Sequence, residues 1–91
     1  MFACNDVIAV GAMAAFRDHG LRVPQDVSIA GFDDIQTLRD LAPPLTTVRL
    51  DLEELGERVA ALALDSNPDD PARLIRVRGQ VVLRDSTRRL R

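Results

Sequence analysis

An α/β fold, built as a partial open sheet with flanking helices, is what this 91-residue sequence predicts, in the order strand, helix, strand, loop, strand, helix, strand. Three observations carry that prediction. Two segments repeat apolar residues at helical spacing and begin with capping side chains. A β-branched apolar run, Val27 to Phe32, lies between them, as a strand covered on both faces would. Two further β-branched runs, at 45–50 and 75–84, bracket the second helix.

The first element is a short apolar stub, Phe2-Ala3-Cys4, followed by Asn5-Asp6, whose side chains accept backbone N–H bonds at a helix start. Ile8, Ala12, Ala15, Phe16 and His19 recur at helical spacing, and Gly20 stands where a left-handed residue ends a helix, which predicts a helix over 6–19. Beyond the run 27–32, Asp33 and Asp34 fall at the strand's C-terminal end. Residues 35–44 have weak periodicity and finish in Pro43-Pro44, which predicts a short helical turn and a loop. Leu45 to Leu50 reads as a strand. Asp51 and Glu54 make a capping-box-like start for a helix to about Asp65, with Leu52, Leu55, Val59, Leu62 and Ala63 as its apolar stripe. A polar, proline-punctuated loop over 66–71 leads to a final strand pair, or one long strand with a break at Gly79, between Ile75 and Arg84, and a frayed tail from Arg88 to Arg91.

Composition narrows the function. Hydrophobic residues make up 46% and charged residues 29%, a globular balance; the short chain predicts a thin core, packed mainly by Leu, Val, Ile and Ala since only three residues are aromatic. The net charge of −2 argues against a nucleic-acid surface, whose affinity comes from phosphate neutralisation, and sets aside the small basic tail at Arg88, Arg89 and Arg91 as solvated. All twelve basic residues are Arg, so lysine chemistry is excluded. Cys4 is the single cysteine, expected as a small buried apolar residue without zinc-ligand context, and neither metal nor cofactor is expected. No apolar run approaches the roughly 20 residues of a membrane span and no leader pattern opens the chain, which places it in the cytoplasm. His19, beside Gly20, reads as a helix C-terminal residue answering the dipole rather than a catalyst.

Chemistry is expected where strands end. Ligands of open α/β sheets bind beyond the carboxyl ends of the strands, and both Asn5-Asp6 and Asp33-Asp34 fall there. A carboxylate accepts bonds from vicinal hydroxyls and an amide both donates and accepts, a pairing suited to polyols. The same residue types also serve as helix caps and turn formers, so spacing alone leaves both readings open.

The residues Asn5-Asp6, Ala9-Val10-Gly11-Ala12, the block Gly20 to Asp34, Pro43-Pro44-Leu45-Thr46-Thr47-Val48 and Leu83-Arg84-Asp85-Ser86-Thr87 stand in an order and spacing that resembles the C-terminal subdomain of LacI/GalR-family transcriptional regulators. The resemblance covers nearly the whole chain. It implies a truncated periplasmic-binding-protein-like lobe, with residues 1–91 as a C-terminal fragment of the effector-binding and dimerisation domain and without the family's helix-turn-helix. It further implies that Asn5, Phe32 and Asp33 contact a sugar-like or purine-like effector, as half of a pocket. Dimer contacts are implied at Val10, Met13 and Ala14, which are i, i+3, i+4 neighbours, and at Arg39, Asp40 and Leu41.

Other classes fit less well. A phosphoacceptor site built on Asp33-Asp34 needs a lysine and a third strand-end aspartate; P-loop and catalytic-triad patterns are also missing, so no enzyme is expected. A sugar-binding protein of the same fold and an orphan α/β domain remain as alternatives. A fragment of a lobe leaves a sheet edge and a helix layer uncovered, which predicts a homodimer or higher oligomer.

Overall fold

Residues 29–33 form the spine of the molecule in a computed structural model that describes residues 1–90. On one side Ala3 N–H donates to the Ala30 carbonyl (2.8 Å) and Ala30 N–H to the Met1 carbonyl (3.0 Å). On the other, Gly31 N–H donates to Thr46 (2.9 Å) and Asp33 N–H to Val48 (2.9 Å). The bridges Phe2 with Ala30, Ala30 with Thr46 and Asp33 with Arg49 are all parallel. Regular strands are shorter than the sequence predicts: β1 spans Thr47–Arg49 and β2 spans Gln80–Val82, paired antiparallel with Val48 opposite Val81. The run 27–32 is thus an extended segment bonded on both sides rather than a regular strand, and the last strand begins only after Gly79.

Helix α1, Asp6–Asp18, crosses over from the first parallel segment to the second. Asn5 caps it, its Oδ1 accepting from Ile8 N–H at 2.9 Å. At the other end Leu21 N–H donates to Phe16 and Gly20 N–H to Arg17, a Schellman closure. Its left-handed residue is Gly20, at φ 76°. His19 is the C-cap, its Nδ1 within 2.8 Å of the Ala15 carbonyl oxygen. The buried face of α1 is Asp6 and Ala9, with Ala12, Met13 and Phe16 beside the core; Ile8, assigned inward by its spacing, is exposed. Ala3, Ala9, Ile29 and Leu45 make the core, joined by Val23 and Leu41.

A short 3-10 turn, Gln36–Leu38, carries the expected helical turn of the 35–44 loop. The C-terminal residues close the base of the spine. Ser86 is fully buried, donates through Oγ to the Ile29 carbonyl (2.6 Å), accepts from Thr46 N–H (2.8 Å) and takes Ile29 N–H on its own carbonyl (3.0 Å). Arg88, expected in a frayed tail, is tied to Ser28 and Gln25 by its backbone and side chain; Arg91 lies outside the described residues.

Helix α2, Leu52–Asp65, starts as its capping residues dictate, with Asp51 accepting from Glu54 N–H at 3.0 Å. Its apolar stripe has no buried residue, and Leu64 is 85% exposed. The helix projects from the β1–β2 neck: the molecule measures 55 × 25 × 22 Å with a radius of gyration of 17.3 Å, against about 12 Å for a compact chain of this length. Cys4 is exposed, not buried: it lies beyond the Phe2–Ala30 bridge, in the bend that leads into α1.

Gly31 is the tightest point of the spine. A Cβ there would collide with the Asp6 side chain and come within 3.1 Å of both the Asp6 Cα and the Leu45 side chain. Gly31→Ala is expected to destabilise the chain by about 1–3 kcal/mol, the range for overpacking a filled interior. Urea unfolding followed by circular dichroism checks this.

Candidate functional site

Asn5 and Asp33 each lie three residues past the bridge that pairs Phe2 with Ala30 in parallel, so the two strand ends arrive at the same rim. Asp6 N–H, donating to the Phe32 carbonyl at 2.9 Å, laces the ends together. Asn5, Phe32 and Asp33 are all half-buried. The Asn5 oxygen serves the helix cap, which leaves its amide N–H groups as the donors it offers outward. Asp33 offers a carboxylate and lines an open cavity of about 990 Å³ together with Gln36, Arg39, Arg49, Arg78 and Gln80.

The two adjacent aspartates do different jobs. The Asp34 side chain is 1% exposed and takes three guanidinium groups: Arg49 Nε at 2.7 Å, Arg84 Nη1 at 2.8 Å and Arg39 Nη2 at 3.0 Å. Burial pushes its carboxyl up, and the hydrogen bonds from Arg84, Arg49 and Arg39 more than offset that, bringing it down to about 2 from an ordinary 3.8. Asp6 is the other buried carboxylate, accepting from Thr47 Oγ1 (2.6 Å) and from Ile35 N–H (2.8 Å). Both fasten the loop after the spine to β1. Reading the sequence missed this division: Asp33-Asp34 appears as one acidic pair, and Arg49 and Arg84, the partners that separate them, are 15 and 50 positions from Asp34.

The candidate dimer residues separate into two places. Val10, Met13, Ala14 and Leu41 meet around a groove of about 420 Å³, lined also by Leu21, Val23 and Pro43. Arg39 turns instead to Asp34 and the rim cavity, and Asp40 is exposed on the loop. Among the described residues no group of three or more His, Cys, Asp or Glu is placed to hold a metal. No described helix is long and apolar enough to cross a membrane.

Comparison with known proteins gives a consistent picture. The profile of the periplasmic binding protein-like domain family matches residues 1–87. The ribose operon repressor of Haemophilus influenzae is 43% identical over 88 residues, 94% of this chain and 26% of the repressor. The HTH-type transcriptional repressor PurR of Mannheimia succiniciproducens is 36% identical over 92 residues, 99% of this chain and 28% of the repressor. A LacI family transcriptional regulator from Enterococcus faecium, solved with bound ribose, superposes with a TM-score of 0.81 at 34% identity, covering 99% of this chain and 34% of that one. The chain therefore spans about a quarter to a third of the length of these proteins, which are transcriptional regulators rather than enzymes.

The Asp34 carboxyl gives a pH signature. Its folded-state value lies below the unfolded one, so its contribution is complete above about pH 4 and is lost as pH falls through about 2. Asp34→Asn is expected to cost about 2 kcal/mol at pH 7, from the size of that shift. Urea midpoints measured from pH 7 down to 2 should show the two proteins converging at the acid end; parallel curves would contradict the assignment.

Proposed function

Since this chain belongs to the periplasmic binding protein-like domain family, among the LacI-type transcriptional regulators, we propose that it forms the C-terminal part of the effector-sensing and dimerising domain of such a regulator. The observation that supports the reading is the shared rim: parallel backbone pairing, with Asp6 N–H on the Phe32 carbonyl, brings the strand ends that carry Asn5 and Asp33 to one edge of the sheet. Ligands of open α/β sheets bind at such a rim. A sugar presents adjacent hydroxyls that donate to Asp33 and accept from Asn5, while an apolar ring face suits Phe32. A sugar-like or purine-like effector fits these groups, and ribose is the first to test, because one relative is named for the ribose operon and one structural neighbour holds ribose.

The rim is open, so it acts as half of a pocket whose other wall belongs to the remainder of a full-length regulator. DNA binding is assigned to that remainder as well, since this chain is acidic. A regulator of this kind works in the cytoplasm. Self-association is assigned to the groove between α1 and the 39–43 loop. Val10, Met13, Ala14 and Leu41 line it, and Arg39 and Asp40 precede Leu41 on the same loop. The uncovered stripe of α2 adds apolar surface that favours association further.

Isothermal titration of ribose, with purines in parallel, tests the effector reading. Ribose is expected to bind weakly to the chain alone and at least tenfold more weakly to Asp33→Gly, a variant that removes the carboxylate yet tolerates the φ of 112° at that position. Binding that survives the substitution removes Asp33 from the site. For assembly, light scattering at micromolar concentration should show a dimer or larger species, and Met13→Glu, which places a charge in the groove, should shift it toward monomer.

A further inference from the structure

We infer that Asp34 is the positioning residue of the rim: its carboxylate, gripped by guanidinium groups from three separate segments, holds the neighbouring Asp33 in the backbone conformation that presents its carboxyl at the strand end. This inference rests on the reading of Asp33 as an effector contact.

Asp33 and Asp34 both have positive φ, 112° and 55°. L residues other than glycine enter that region rarely, and 112° lies well outside the left-handed helical well near 57°. Two such residues in succession persist only where their surroundings determine them. The backbone is fixed on both flanks, by Asp33 N–H on the Val48 carbonyl (2.9 Å) and by Ile35 N–H on Asp6 (2.8 Å). Between those points Asp34 N–H donates to Thr47 Oγ1 (3.3 Å) and Arg39 Nη2 reaches the Asp34 carbonyl (3.4 Å), and the Asp34 side chain adds the charged restraint. Arg39 donates to it through Nε and Nη2 (3.2 and 3.0 Å), Arg49 through Nε (2.7 Å) and Arg84 through Nη1 (2.8 Å). Arg39 follows the 3-10 turn, Arg49 ends β1 and Arg84 follows β2, so three directions of pull converge on one carboxylate.

The arginines do not need this partner to be solvated, since Arg39 and Arg49 keep 40% and 45% of their side-chain surface exposed. What the cluster immobilises is Asp34. Both of its oxygens are engaged, which leaves Asp33 as the member of the pair able to accept from a ligand. A plain turn-forming Asp would have no use for a buried carboxylate with three cationic donors.

The three-bond HN–Hα coupling of Asp33, measured by NMR on the 15N-labelled chain, reports its φ directly. Wild type should give the small coupling of the positive-φ form, and Asp34→Asn should move it to the large coupling of extended backbone, with ribose binding weakened at least tenfold. Arg84→Gln, which takes away one of three donors, should give an intermediate value and carries the same test if Asp34→Asn does not fold. A folded variant of either kind whose Asp33 coupling matches wild type overturns the inference, whatever its melting temperature. Absence of ribose binding in wild type together with a shifted coupling would instead sink the effector reading while leaving the positioning role in place.

Discussion

Parallel pairing of the segment 29–33 with a neighbour on each side is the constraint from which the rest of the molecule follows. Parallel neighbours cannot be joined by a tight turn, so α1 must carry the chain from the first segment to the second, and the 35–44 loop from the second to the third. Because all three segments run the same way, their C-terminal ends collect at one rim. Asn5, at the end of the first segment, reaches the same rim as Phe32 and Asp33, at the end of the second, through that shared direction rather than through nearness in sequence. Gly31 sits at the centre of the pairing, where a side chain would strike Asp6, and Ser86 closes the opposite end by bonding to Ile29 and Thr46 together.

Polar groups do much of the structural work in so small a core. Among the described residues the buried apolar ones are Ala3, Ala9, Ile29 and Leu45, while Asp6, Asp34, Thr46, Thr47 and Ser86 are buried polar ones. Among the described residues, no buried side-chain nitrogen or oxygen lacks a hydrogen-bond partner. Satisfied networks of this kind specify one arrangement of backbone, because each alternative arrangement leaves a desolvated group unpaired. The rim is placed by hydrogen bonds and ion pairs more than by apolar packing, and α2, which has few of either to the body, extends away from it.

Much of this was legible in the residues. Caps read from Asn5 and from Asp51 with Glu54 locate both helix starts, and Gly20 marks the first helix end, because those signals are local and rest on backbone hydrogen-bond geometry. The family resemblance and the α/β class also stand. Strand lengths were less legible: the β-branched runs at 27–32 and 75–84 describe covered segments, yet regular ladder geometry depends on partners far away in sequence. The apolar stripe expected on α2 is present in the sequence but is not buried: Leu52 and Val59 are exposed. Cys4 and Ile8 went astray because burial is decided by what lies opposite, and the distinct roles of Asp33 and Asp34 depend on Arg49 and Arg84, whose approach only the folded chain reveals.

The strand-end rim is the surface proposed to receive an effector. Titrating ribose into the 15N-labelled chain and mapping amide shift changes by residue tests it most directly. The changes are expected to concentrate at Asn5, Phe32 and Asp33. Changes centred instead on the groove around Val10, Met13 and Leu41, with the rim amides unmoved, would contradict that assignment.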